Sequence, residues 1–159
     1  MRVVVSDTSP LHYLILIGEV ELLRVLFQEI QIPPRVVEEL SRPSAPAQVR
    51  SWAASLPAWV TVRAPIKSLS RAQLDAGECE ALALALESKA DRVLLDDLAG
   101  RAACRELGLV PLGTPGILEE ASRRGLVELT ECVTRLLATN FRASPALVRA
   151  VLARRTPEE

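Results

Sequence analysis

Histidine, cysteine, lysine and aromatic residues are all scarce in this chain. Its 159 residues hold one histidine, His12, three cysteines, and only two tryptophans, two phenylalanines and one tyrosine. Cys79, Cys104 and Cys132 are odd in number, widely spaced and form no C-x-x-C pair, so neither a disulfide framework nor a zinc site is supported. They read as buried thiols. Long apolar runs are missing too: Leu14 to Ile17 and Ala81 to Leu86 fall far below the roughly 20 residues that a membrane span needs. The N-terminal apolar run is short and ends in an acid, unlike a signal peptide, and a soluble, cytoplasmic protein is expected.

The formal net charge of −1 gives no signature of general affinity for polyanions. Arginine supplies 17 of the 19 basic residues, which suits bidentate phosphate contacts but equally fits a plain compositional bias. At 49% hydrophobic, the length closes one core and is too short for two ordinary domains, so residues 1–159 are read as a single domain.

Buried runs and helix punctuation alternate along the chain. Val/Leu/Ile-rich stretches at 2–6, 29–32, 60–63, 92–95 and 109–112 lack polar alternation, as strands covered on both faces do. Between them, Ser9-Pro10 predicts a helix start with Gly18 as its end. Pro33-Pro34 opens a short helix through Leu40, and Ser44 to Leu56 reads as amphipathic helix before Pro57. Ser70 to Gln73 and Asp75 to Glu78 both have capping-box spacing, the second just before the alanine and leucine helix at 79–90. That helix is apolar almost all round and should be buried on several sides. Asp97 can cap a helix over 98–107 ended by Gly108, and Thr114-Pro115 starts another ended by Gly125. Two final helices are expected at 130–139 and 145–155. Trp52 and Trp59 flank Pro57 and are read as core. The pattern predicts an α/β fold: a three-layer α/β/α sandwich on a mostly parallel sheet of about five strands.

Acids stand where these elements end. Asp7 closes the first apolar run and Asp96-Asp97 closes the fourth, while Glu38-Glu39 and Glu78 (with Glu80) lie on helices. Each has a modest explanation alone, since acids cap helices and favour the macrodipole by about 0.3–1 kcal/mol. Together, ligands of open parallel sheets bind beyond the carboxyl ends of the strands, so acids there can share one cleft. Converging carboxylates without a cation repel and drive a pKa upward. Oxygen donors with no histidine or cysteine nearby suit Mg²⁺ or Mn²⁺ rather than zinc.

Rival acidic chemistries lack their parts. A dehalogenase-type phosphatase needs Asp-x-Asp after the first strand, and position 9 is serine. A receiver needs a lysine after a late strand, and neither Lys67 nor Lys89 follows one. Gly113-Thr114-Pro115-Gly116 is too short for a phosphate loop. His12, at helical spacing among Leu11, Leu14 and Ile15, reads as a helix residue rather than the base of a serine triad.

Asp-Thr-Ser-Pro-Leu at 7–11, Ile-Pro-Pro-Arg-Val-Val-Glu-Glu-Leu at 32–40, Leu-Asp-Ala-Gly-Glu-Cys-Glu-Ala-Leu-Ala-Leu-Ala at 74–85 and Leu-Leu-Asp-Asp-Leu-Ala-Gly-Arg at 94–101 resemble the PIN-domain family, nearest its VapC-like toxin branch. The likeness runs on through Leu112-Gly113-Thr114 and Gly116-Ile117-Leu118 to Gly125-Leu126. It implies a Mg²⁺- or Mn²⁺-dependent ribonuclease whose four acids fall on Asp7, Glu39 rather than Glu38, Glu78 with Glu80 as the fallback, and Asp97 with Asp96 beside it. A small antitoxin protein and a homodimer are implied as well. Leu98 departs from the branch, which often carries a basic residue there, and Arg101 remains open between a phosphate contact and an i,i+4 pair with Asp97.

Overall fold

A computed structural model describes residues 2–142, together with residues 148, 149 and 153. Five strands form one all-parallel sheet: β1 Val4–Ser6, β2 Ile30–Ile32, β3 Val60–Val62, β4 Arg92–Leu94 and β5 Pro111–Leu112. Each lies inside an expected apolar run. Their order is β3-β2-β1-β4-β5, with Val5 opposite Gln31 on one side and Val93 on the other. The chain thus builds outward from β1 in one direction, then returns to its other flank. The switch point, where such sheets open a crevice at the carboxyl ends of the strands, lies between β1 and β4.

Helices cover both faces, as a parallel sheet requires, although Ser6, Gln31, Thr61 and Arg92 interrupt the expected apolar runs and Thr61 and Val62 of the edge strand β3 are exposed. Val4 and Leu94 face one core with residues of α1 (Thr8–Leu16), α2 (Leu22–Phe27), α3 (Pro34–Leu40), α4 (Ala47–Ala54), α7 (Thr114–Arg123) and α8 (Leu129–Leu137). Val5, Val93 and Leu95 face a second core with α5 (Ala76–Ser88) and α6 (Leu98–Glu106). The result is the expected three-layer sandwich. In α5, Ala81 to Ala85 are all buried, as its nearly uniform apolar surface requires. Trp59 is buried and Trp52 half-buried beside it, with ring centroids 6.1 Å apart. Cys104 and Cys132 are buried free thiols, while Cys79 is only half-buried.

Several local expectations shift. Helix α1 starts at Thr8 with Asp7, not Ser9, at its N-cap, because the Ser9 hydroxyl is engaged elsewhere. Ser70 to Gln73 starts no helix: Asp75 stays extended and supplies the cap of α5, so the earlier box has nothing to close. Helix α2 carries no cap signal, its N-cap Glu21 accepting from Arg24 rather than from a backbone N–H of the first turn, and it is held by burial of Leu22, Leu23, Leu26 and Phe27. The helix expected at 145–155 lies, apart from residues 148, 149 and 153, outside the described residues. No helix among the described residues is long and apolar enough to cross a membrane.

Candidate metal centre

The site begins at the switch point. Asp7 leaves β1 in extended geometry, and its backbone N–H donates to the Leu94 carbonyl of β4 at 2.9 Å. This bond locks the two strand ends together and brings Asp7 beside the Asp96-Asp97 pair that follows β4. Glu39 reaches in from α3, and Asp75 and Glu78 from the start of α5. Six carboxylates, on Asp7, Glu39, Asp75, Glu78, Asp96 and Asp97, therefore line one cavity of about 730 Å³. All five site residues expected from the sequence share it. Asp75 was legible only as a helix cap.

Each acid is held differently. Asp7 is 5% exposed, makes no cap bond to α1, and its Oδ1 is buried with no hydrogen-bond partner. Burial pushes its pKa well above the usual carboxylate range. The Thr8 backbone opposes that rise, while the charges on Glu78, Asp75 and Glu39 add to it. Glu78 and Asp75 form a capping box: the Glu78 N–H donates to Asp75 Oδ1 at 2.8 Å and the Asp75 N–H to Glu78 Oε1 at 3.1 Å. Burial, then the neighbouring charges of Asp75, Asp97 and Glu39, raise Glu78 to about 7 against the pull of its backbone bond.

Glu39, with a side chain 12% exposed, accepts the Thr8 hydroxyl and lies 3.9 Å from Arg42. Gly77 gives it room, because a Cβ there would stand 2.6 Å from both Glu39 carboxylate oxygens. Asp96 is the most saturated: Ser9 Oγ donates to it at 2.9 Å, the Thr114 N–H at 2.6 Å and Thr114 Oγ1 at 2.7 Å. It ties α1, β4 and α7 together. Asp97 is exposed and caps α6, accepting from the Gly100 N–H at 3.0 Å.

Two of the doublets separate by direction, whereas Asp96 and Asp97 both line the cavity. Glu38 points out of the cavity and lies 3.7 Å from Arg35, which also stands 3.6 Å from Glu80. Both acids line a different depression, between α3, α5 and the 64–71 loop. Arg101 makes no ion pair with Asp97. A Cβ on Gly113 would stand 2.7 Å from Arg101 Nη1 and 2.9 Å from Asp96 Oδ1, so the guanidinium runs beside Asp96 instead. Leu98 stands 81% exposed at the cavity rim. The far wall, His12, Tyr13, Asn140, Phe141 and Arg142, carries no signal that a linear reading could gather, because α1 and the end of α8 meet only in the fold.

Contrary to the expectation of no histidine nearby, His12 lines the same cavity, but the donors are otherwise oxygens with no thiol, and an orphaned buried carboxylate oxygen among them fits a hard divalent cation. Among the described residues, no three of these side chains form a ready-made coordination cluster. Burial and the neighbouring charges raise the pKa values of Asp7 and Glu78, while helix-cap bonds hold Glu78 and Asp97 in place.

An all-parallel α/β sheet with acids converging beyond its switch point defines a class in which the carboxyl edge carries the chemistry. A family model described as a PIN domain matches residues 3–156, and the chain belongs to that family. Its fold is accordingly a nuclease fold. No match was found among curated proteins or among solved structures.

Proposed function

We propose that this protein is a Mg²⁺- or Mn²⁺-dependent endoribonuclease that hydrolyses RNA phosphodiesters, and that it is the toxin of a toxin-antitoxin pair. The observation that carries the reading is Asp7: a carboxylate almost fully buried, with one oxygen unpaired, facing three further acids at the switch point. A buried unpaired charge is costly unless something cationic meets it. Asp7, Glu39, Glu78 and Asp97 would hold the metal, with Asp96 as a further oxygen donor. A divalent ion bound there supplies an ionised water as nucleophile and offsets charge building on the scissile phosphate.

The chain's own groups do the rest. Thr8 orients the Glu39 carboxylate, Asp75 orients Glu78, and Asp96 fixes the α1 and α7 termini that frame the cavity. Burial and neighbouring acids raise the Glu78 pKa to about 7 without a cation, and a divalent ion beside it would favour the charged carboxylate and relieve that cost. Leu98 offers apolar surface at the rim that a small antitoxin protein covering the cleft would bury. A homodimer and a cytoplasmic location complete the proposal, with residues 1–159 acting as one domain.

A mixed RNA panel incubated with the pure protein and Mg²⁺ or Mn²⁺ tests it. Cleavage is expected, and it should vanish in Asp7→Asn. Activity that survives Asp7→Asn unchanged would sink the assignment.

One set of contacts favours a second reading, a catalytically silent binding module. The Glu78 carboxylate closes the capping box of α5, Asp97 caps α6, and both Asp96 oxygens are engaged by protein donors. Calorimetry separates the two: no Mn²⁺ binding at millimolar metal supports the module, and binding lost in Asp97→Asn excludes it.

A further inference from the structure

The cavity has two chemically different walls, and the acids occupy only one. The other gathers the chain's single histidine, its single tyrosine and one of its two phenylalanines. In a protein with 3% aromatic residues, Tyr13 and Phe141 pack on the edge of the first core, yet they and His12 stay only half-buried and keep ring surface on the cavity. The rings stack edge to face, with His12 and Tyr13 centroids 4.7 Å apart at 71° and Tyr13 and Phe141 centroids 5.0 Å apart at 86°. Two polar groups extend this wall: Asn140, whose Oδ1 accepts the Tyr13 hydroxyl at 2.9 Å, and Arg142, exposed at the rim.

The wall is anchored rather than draped. Arg135 of α8 donates to the Ile17 carbonyl at the end of α1 at 2.6 Å and pairs with Glu19 at 2.9 Å. That clamp fixes α8 on α1 and delivers residues 140–142 against Tyr13. Flat aromatic surface, an amide and a guanidinium are the groups that seat an unpaired base and its phosphate, because every base has a π-face and stacking tolerates any sequence. A cavity of about 730 Å³ falls within the range of sites that bury small ligands.

We infer that His12, Tyr13 and Phe141, with Asn140 and Arg142, form a base-binding wall that seats one unpaired nucleobase of a single-stranded RNA next to the acidic wall. This rests on the nuclease reading for the identity of the strand. It goes beyond it by stating what grips the substrate: stacking on the α1/α8 wall, in a protein with no general basic surface charge. A duplex cannot present a base to this wall without unpairing it.

The test uses the full chain with Ca²⁺ to hold cleavage off, and short single-stranded RNAs carrying 2-aminopurine at successive positions. Fluorescence should be quenched at one position in particular. In Tyr13→Leu and Phe141→Leu, which keep an apolar body against α1 and α8, that quench should disappear. RNA affinity should fall about 5- to 150-fold, the range of one lost base stack, while Mn²⁺ affinity stays as in the native chain. Tyr13→Phe should retain the quench. Quenching at no position, unchanged affinity in the double leucine variant, or equal affinity for duplex RNA would each overturn the inference. RNA that is cut in Mn²⁺ without any quenched base defeats the wall alone. RNA bound with the quench but never cut defeats the nuclease reading alone. A chain that neither binds nor cuts RNA loses both.

Discussion

Replacing Gly77 with alanine should separate the fold from the site. Gly77 is buried in the first turn of α5, and a methyl group there would stand 2.6 Å from each Glu39 carboxylate oxygen and 2.9 Å from Cδ. The obstacle is the far end of a flexible side chain, so Glu39 swings away and the helix remains. Alanine in place of glycine favours a helix by about 0.8–1 kcal/mol, which offsets the loss of the Thr8 contact. Unfolding free energy without metal should therefore change by less than about 1 kcal/mol. Metal binding should not be spared, because displacing a group that orients a site typically costs about 10- to 100-fold in affinity. Urea melts of the metal-free protein and Mn²⁺ calorimetry measure the two effects. In a Glu39→Gln background, Gly77→Ala should weaken Mn²⁺ no further. Native Mn²⁺ affinity in Gly77→Ala would refute the reasoning, since it would mean that the Glu39 carboxylate takes no part in holding the ion.

Further outcomes follow from the same contacts. Asp7 and Glu78 both have folded pKa values raised above their ordinary ones, Glu78 from 4.5 to about 7, so the folded metal-free protein binds more protons than the unfolded chain. Its stability is fullest below about pH 4.5 as far as Glu78 is concerned, and is lost as pH rises through about 7, a fall that thermal melts should show and Mn²⁺ should reverse. Asp7→Asn should raise metal-free stability at pH 8 more than at pH 5, while abolishing Mn²⁺ binding; a destabilised variant at pH 8 contradicts this. Thr114→Val removes a hydroxyl bond to the charged Asp96 and should lower the unfolding free energy by about 1.5–3 kcal/mol in denaturant melts. Glu38→Gln and Glu80→Gln, which face Arg35 outside the cavity, should leave Mn²⁺ affinity within twofold of native.

Much of the layer order was legible in sequence because the strands are rich in valine, isoleucine and leucine, with at most one polar residue in each, and most helices carry a cap or a glycine end. Gly18, Gly108 and Gly125 all have positive φ just past their helices, where side chains are disfavoured. Helix α2 escaped because it has burial without punctuation. Ser70 to Gln73 misled because spacing alone cannot say which of two nearby boxes the backbone will close. The doublets were the harder matter. Glu38 and Glu39 lie about 100° apart around a helix, so only one can face the cavity, and which one depends on where α3 packs. Family resemblance favoured Glu39; in the fold Glu39 lines the cavity and Glu38 lies beside Arg35 outside it. Asp75 looked like a cap and is one, yet its charge also reaches Asp7. The aromatic wall was beyond linear reading, because Tyr13 and Phe141 lie at opposite ends of the sequence and meet through the docking of α8 on α1.

Anomalous scattering from crystals soaked in Mn²⁺ tests the central claim most directly. A peak is expected inside the acidic cavity, coordinated by Asp7 Oδ1 and by at least two of Glu39, Glu78 and Asp97. A soak at millimolar Mn²⁺ that leaves the cavity empty, or that places the ion only on outward acids such as Glu38 and Glu80, would contradict it.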